Sequence, residues 1–206
     1  MPTVIVSRGD SIPSLAHDNG HFWETLWNHG DNAALKALRK TPNILMPGDE
    51  VFVPEIRIKE VHKGTDSTHK FVRRGVPAKI RIQLMMLGEP RKGEKYTLII
   101  DGKSTEGTAD DQGIVEAFIT PNARSGKLIL VATGEEIPVE LGHLNPIDTI
   151  SGVRQRLSNL GFECTDGEEL DDQTKSAIRL FQAAQGLEKT GKIDSTTRSR
   201  LHESHP

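Results

Sequence analysis

Two histidines four positions apart are the first feature of the sequence that could do chemistry. His17 and His21 would lie on one face of a continuous helix, a spacing at which two imidazoles can bind one zinc ion. Asn19 and Gly20 stand between them and favour a break in that helix. The sequence has eight histidines but no HExxH motif, and its single cysteine, Cys164, cannot form a cysteine pair. We therefore expect surface or partly packed histidines, and predict no metal and no cofactor.

The 29 acidic residues raise a second possibility, which is the hydrolysis of glycosidic bonds. That reaction needs two carboxylates facing each other across a groove, one of them in an apolar pocket that raises its pKa. Most of the acidic residues fall in predicted turns or on solvated helix faces, and no segment is left over that could build a deep cleft. The sequence also lacks a G-x-S-x-G motif and a Cys/His arrangement. We expect a protein without catalytic residues.

Composition limits the classes of partner and the size of the core. The chain has 206 residues, of which 35% are hydrophobic and 4% aromatic, so several small cores are more plausible than one large core. A net charge of −3 gives no basic field for nucleic acid or an anionic membrane, and no apolar run has membrane length. The N-terminus shows no signal-peptide pattern, which predicts a cytoplasmic protein unless a machine exports it without a cleaved signal.

Three patterns divide the chain into predicted domains at residues 1–55, 56–144 and 145–206. The first has the order strand, helix, helix, strand, with an apolar face from Leu15 through Trp27 and a second helical stretch at 33–38. Trp23 and Trp27 lie one helical turn apart, which suits a packed core and also stacking on sugars. The fold class is multidomain α+β.

The middle segment alternates short strands with turn signals, which is typical of a small antiparallel β-sandwich. The expected strands are AKIRIQLMML, KYTLIID, GIVEAFI, GKLILVAT and EIPVEL, and the expected turns are GEPRKGE, DGKSTEG, DDQG, NARSG and TGEE. The acidic pair in DDQG lacks the spacing of a calcium loop, so turn chemistry explains it better.

The last sixty residues predict an all-α domain. Ile150, Val153, Leu157 and Leu160 fall on one helix face that ends at Gly161. Asp171 or Asp172 caps a second helix, which carries Ile178 and Phe181 and ends at Gly186. The segment IDSTTRSRL caps a third helix that returns Leu201 to the core.

This C-terminal pattern resembles the peptidoglycan-binding domain family, a three-helix module attached to many bacterial cell-wall hydrolases. The matching positions combine apolar spacing, an FQ pair and a GL…TG turn: Val153, Leu157, Leu160, Gly161, Asp166, Gly167, Thr174, Ala177, Phe181, Gln182, Gly186, Leu187, Thr190, Gly191, Asp194, Thr197 and Leu201. Glu169-Leu170 stands where an aromatic-glycine pair is usual. The resemblance implies that Asp166, Gln182 and Thr190 could contact a stem peptide, although capping and turn stabilisation explain each of them equally simply.

The N-terminal segment resembles a LysM domain, a βααβ module that recognises polymers containing N-acetylglucosamine. VSRGDSIPSLA and PNILMPGDEVFVP carry the resemblance, while the helical segment between them is longer than a minimal LysM helix pair. The resemblance implies a shallow glycan groove between two loops, formed by Gly9, Asp10, Ser11 and Ile12 in the first and by Asn43, Ile44, Leu45 and Met46 in the second. These residues could equally serve only to shape the fold.

The combination of modules resembles small proteins associated with type VI secretion spikes and related contractile injection systems. This implies a non-enzymatic adaptor that binds peptidoglycan in the bacterial cell wall and that a contractile apparatus delivers to the periplasm or outside the cell. Spike, baseplate or effector proteins would then be its partners. Two alternatives stay open: a docking or effector-loading protein without glycan binding, which the missing signal and the longer LysM middle favour, and an accessory subunit of a separate cell-wall hydrolase.

Overall fold

A computed structural model describes residues 3–56, 60, 62–70, 78–86, 89–165 and 167–205. Within these residues the chain has six α-helices, one short 3-10 helix and ten strands, and every strand pairing is antiparallel. This mixture confirms the predicted α+β class. Among the residues described, no helix is both long enough and apolar enough to span a bilayer.

The N-terminal module is a two-stranded sheet covered by short helices. Its elements in order are β1 (Thr3–Ile5), α1 (Ile12–Asp18), α2 (Trp23–Trp27), a 3-10 turn (Gly30–Asn32), α3 (Ala33–Arg39) and β2 (Glu50–Phe52). The break expected at Asn19 and Gly20 is confirmed, since Gly20 has φ of +72° just after α1 and the apolar face continues in α2. The module therefore has three α-helices where the predicted strand, helix, helix, strand order has two. Strand β1 pairs with β2 in the register Val4 to Val51.

The apolar core of this module has the buried amide of Asn32 beside it. Trp27 is 6% exposed within it, and Trp23 packs against it. The side chain of Asn32 donates to the carbonyl oxygens of Leu26 (2.8 Å) and Phe52 (2.9 Å) and accepts from the Phe52 amide (2.8 Å). Asn32 thereby fixes the last turn of α2 against β2, because a buried amide is stable only when its polar atoms are paired.

The middle module consists of two larger sheets whose inward side chains share one core. Its strands are β3 (Ala78–Gln83), β4 (Met85–Met86), β5 (Glu89–Pro90), β6 (Lys95–Ile100), β7 (Lys103–Thr108), β8 (Ile114–Ile119), β9 (Ser125–Leu130) and β10 (Glu136–Glu140). The four-stranded sheet has the order β10-β9-β6-β7, and β3 pairs with β8. Residues from both sheets, such as Ile80, Val115, Leu98 and Leu128, meet in a single hydrophobic cluster.

Four of the predicted turns in this module overlap strands: DGKSTEG overlaps β7, NARSG overlaps β9, GEPRKGE overlaps β5 and TGEE overlaps β10. Asp101 and Gly102 do form a two-residue turn, with φ of +46° and +78°, but Lys103 already pairs with Ile100 and the polar segment after it is edge strand β7. A tight primed turn keeps the flanking strands in register, so polar residues can continue the sheet where one edge faces solvent. Likewise Ser125, expected in the turn NARSG, is the first residue of β9, and Gly126 after it lies inside the strand, where an added Cβ would come within 2.0 Å of the Ile99 carbonyl oxygen.

The C-terminal module contains α4 (Ile150–Asn159), α5 (Asp172–Ala184) and α6 (Ser195–Ser204), which surround one core. The core includes Val153, Leu157, Ile178, Phe181 and Leu201, each fully buried. Phe162 meets the ring of Phe181 edge-on, with centroids 5.7 Å apart. The expected caps are confirmed at Asp171 and Asp194, each of which accepts a backbone N–H three residues on.

Candidate functional site

The first N-terminal loop is a tightly bonded turn that starts α1. Asp10 accepts the Ser7 amide at 2.8 Å, and Ser11 and Ser14 form a reciprocal capping box. Ser11 is half-buried, whereas Gly9, Asp10 and Ile12 are buried. The Asp10 carboxylate and the hydroxyl groups of Ser11 and Ser14 are therefore engaged in the turn itself.

The second loop is anchored by Asp49, a residue to which the sequence patterns assign no role. Its carboxylate binds the Arg39 guanidinium through two bonds of 2.7 Å and accepts the Met46 amide at 2.9 Å. Burial alone would raise the pKa of Asp49, but the Arg39 side chain and the Met46 amide hold that pKa below its ordinary value. Arg39 in α3 and Asp49 in the loop are ten positions apart, a spacing that forms no known motif, so only the folded chain reveals this pair.

The structure brings the two predicted glycan loops side by side. The Ile12 amide donates to the Pro42 carbonyl oxygen at 2.9 Å, directly before Asn43. Asn43 is exposed, Ile44 and Met46 are half-buried, and Leu45 belongs to the core. Among the eight residues predicted to contact a glycan, Ser11 and Asn43 are the polar ones whose side chains are at least partly exposed to solvent. Glycan contact by these eight residues stays a prediction.

The middle module lies on the first loop. Arg124, just before β9, donates through Nη2 to Asp10 Oδ1 at 2.5 Å, and Asn122 donates to Asp18 at 2.9 Å. Gly142 approaches the Gly9 carbonyl so closely that a Cβ on Gly142 would stand 2.3 Å from that oxygen. His143 also reaches Gly9, where an added Cβ would meet its Nε2 at 3.0 Å. Gly9 and Asp10 owe part of their burial to these neighbours.

Gln182 is the centre of a buried polar cluster in the C-terminal module. It is 1% exposed, and its Nε2 group lies within hydrogen-bonding distance of Thr190 Oγ1 (3.0 Å), Thr197 Oγ1 (2.9 Å) and the Lys192 carbonyl oxygen (3.3 Å). Its Oε1 accepts the Gly191 amide at 2.9 Å. The structure thus joins two of the predicted peptidoglycan contacts, Gln182 and Thr190, in one internal network that shapes the turn between α5 and α6.

A second cluster holds the loop between α4 and α5. The buried guanidinium of Arg154 donates to the Glu169 carbonyl at 2.7 Å, to Thr165 Oγ1, and to Asp171 Oδ2 at 3.2 Å. Hydrogen bonds from Thr174 and Thr165 keep the pKa of Asp171 below its ordinary value, and Arg154 adds to the effect. An arginine on the apolar side of a helix, such as Arg154, is the sequence signal that could have predicted a buried guanidinium bonded to a neighbouring loop.

The two clusters lie at opposite ends of α5. Thr165 and Gly167, which flank the predicted contact Asp166, belong to the loop before the helix, whereas Gln182 lies in its last turn. Asp166 itself is outside the described residues. Asp172 and Gln182 are ten positions apart in the helix, a rise of about 15 Å. A ligand that touched both ends would have to be an extended one, such as a polymer.

Two further features concern chemistry at single residues. Arg156 is 1% exposed and binds the carbonyl oxygens of Asn145 (2.8 Å), Gly152 (2.9 Å) and His205 (3.1 Å), and burial lowers its pKa to about 10.

Burial also raises the pKa of the half-buried Cys164 thiol. Within the described part of the chain, no group of three or more His, Cys, Asp or Glu side chains is placed to hold a metal ion.

Comparison with known proteins bears on the C-terminal module alone. No curated protein and no solved structure matches the chain. Residues 148–201 match the family model described as "Putative peptidoglycan binding domain". These residues include α4, α5, nearly all of the core around Phe181 and both polar clusters. Over this span the chain carries a domain similar to the peptidoglycan-binding family, which supports the binding of cell-wall material.

Proposed function

We propose that the protein is a non-enzymatic adaptor that binds peptidoglycan through its C-terminal module. The match of residues 148–201 to the peptidoglycan-binding family is the observation that carries this proposal. The buried networks around Gln182 and Arg154 support it in a particular way, since they fix the two loops that flank α5 and so present a preformed surface. Binding by a preformed surface avoids the entropic cost of ordering loops.

We propose a second, weaker contact at the N-terminal loops, with polymers that contain N-acetylglucosamine. Ser11 and Asn43 offer polar groups beside half-buried apolar ones, which suits an uncharged glycan. Two modest sites on one chain would add avidity if both reach the same polymer. The LysM resemblance of the two loop sequences is what supports this part.

The last part of the proposal is a link to a contractile secretion apparatus. It rests on the resemblance of the module combination to proteins associated with type VI spikes. In this role the protein would be made in the cytoplasm and carried outward while bound to a spike, a baseplate protein or an effector.

Co-sedimentation with purified sacculi tests the central claim. We expect the full chain to be retained, and a chain that ends at residue 147 to lose most of that retention. A zymogram of the same full-length sample should show no cleared band, since the proposal assigns no catalytic residue. Equal retention of the full and shortened chains, or clearing by the full chain alone, would contradict the proposal.

One observation favours a second candidate, a docking protein in which the N-terminal module binds no glycan. Gly9 and Asp10 are buried beneath Arg124 and Gly142, so part of the predicted groove serves as an internal interface. This candidate predicts co-purification with a spike protein that substitution of Ser11 and Asn43 leaves unchanged.

A further inference from the structure

We propose that the middle module is a cap on the first N-terminal loop, so that glycan binding there requires release of the cap. This inference rests on the proposed glycan contact at the N-terminal loops. It adds regulation to that contact, because the closed chain shown by the structure would bind the glycan less tightly than an opened chain.

The cap consists of Asn122 and Arg124 on one side and Gly142 and His143 on the other. The ion pair between Arg124 and Asp10 measures 2.5 Å, and the Asp10 side chain is 10% exposed. The Asp10 carboxylate is thereby turned towards the middle module, and Asn122 adds a second bond to Asp18 at 2.9 Å. Both bonds cross from one module to the other, between residues more than one hundred positions apart in the sequence.

Gly142 makes a close backbone approach within the cap. It has φ of +73°, and the absence of a side chain lets it sit against the Gly9 carbonyl. An alanine there would place its Cβ 2.3 Å from that oxygen and would force the two segments apart. A sugar that contacted Gly9 would have to displace Gly142, and one that contacted Asp10 would have to displace Arg124.

The cap is also tied to the C-terminal module. His143, next to Gly142, accepts a bond from Gln155 of α4 through its carbonyl oxygen at 3.0 Å. Its ring bonds Glu140 of β10 at 2.9 Å. The segment over Gly9 is therefore bonded both to α4 and to β10.

Two matched substitutions in the full chain test the cap. Gly142→Ala has a control in Gly134→Ala, because Gly134 has nearly the same backbone conformation, φ +70°, with nothing within 4 Å of an added Cβ. Arg124→Ala has a control in Lys103→Ala, which removes one positive charge from an exposed position. The readouts are amide hydrogen exchange of residues 7–12 and affinity for a soluble chitin oligosaccharide.

We expect both cap variants, and neither control, to exchange these amides about tenfold faster and to bind the oligosaccharide tighter by a similar factor, because apparent affinity scales with the open fraction. Unchanged exchange would overturn the cap. Faster exchange with unchanged affinity, or no oligosaccharide binding by any variant, would overturn its coupling to glycan. Sacculus retention of the same proteins reports separately on the C-terminal module, so its loss would count against the proposed function and not against the cap.

Discussion

At the scale of single residues, Gln182 shows that one side chain can shape a surface from within. The family resemblance puts it among the candidate ligand contacts, while the structure buries it and pairs both ends of its amide inside the module. Its bonds reach Thr190, Gly191, Lys192 and Thr197, so it fixes the turn between α5 and α6 from below. Any contribution to binding through that turn would be one of positioning.

We predict that Gln182→Leu destabilises the C-terminal module by about 1–3 kcal/mol, since the buried Gly191 amide would lose its acceptor. The measurement is hydrogen exchange of α5 amides, because the two tryptophans, Trp23 and Trp27, lie in the N-terminal core and their fluorescence reports on that module. Gln185→Leu, at an exposed position of the same helix end, is the control. Equal protection in the two variants would show that the network contributes little.

At the scale of elements, four of the described α-helices begin where a short polar side chain accepts a free backbone amide, whereas α2 and α3 begin without such a cap. Ser11 starts α1, Thr149 starts α4, Asp171 starts α5 and Asp194 starts α6. The two aspartates gain most from this position, because the pKa of Asp171 and of Asp194 lies below the ordinary value through hydrogen bonds from Thr174 and Thr197 respectively.

This gives a prediction about pH. The pKa of Asp171 is lower in the folded than in the unfolded chain, so its stabilising effect is present above the unfolded pKa of about 4 and is lost as the pH falls towards the folded value. We expect Asp171→Asn to reduce the protection of α5 amides at neutral pH and to flatten its decline in acid. The neighbouring Asp172→Asn, which removes the same charge from an exposed residue, should behave like the unsubstituted chain. A profile for Asp171→Asn as steep as that of the unsubstituted chain would contradict the assignment.

At the scale of the whole molecule, the segment between the middle and C-terminal modules is bonded along its length. Gln155 donates to the His143 carbonyl (3.0 Å) and accepts the Asn145 amide (2.7 Å), Arg156 binds the Asn145 carbonyl (2.8 Å), and Arg198 binds the Ile147 carbonyl (2.8 Å). A linker held in this way sets the direction in which the C-terminal module points. The predicted avidity therefore depends on a defined geometry between sites.

We expect Gln155→Ala to loosen this linker, because it removes two hydrogen bonds, each worth about 1 kcal/mol. Limited proteolysis within residues 141–149 should become several-fold faster, while cleavage elsewhere stays the same. Gln173→Ala, at an exposed position in α5, is the control. If both variants are cut at the same rate, the linker bonds do not determine its order.

Much of the local structure follows from the sequence alone. The caps at Asp171 and Asp194, the Asp101-Gly102 turn and the apolar face of α4 were all predictable, because each depends on residues within a few positions of one another. The other predicted strands of the middle module are recovered for the same reason, whereas AKIRIQLMML is divided into β3 and β4, which pair with different strands. Where prediction failed, as at β7, a polar strand had no periodic apolar pattern to mark it and gained its structure from pairing with β6.

The tertiary structure alone decided which side chains meet across the chain. Four contacts join residues that no spacing rule connects. They are Arg39 with Asp49, Asn32 with Phe52, Arg154 with Asp171, and Arg124 with Asp10. It also decided that Gln182 points inward and that Gly9 is covered, since burial depends on what the rest of the chain packs against a residue. Local propensities are properties of neighbouring residues, whereas exposure and long-range pairing arise only when the whole chain has folded.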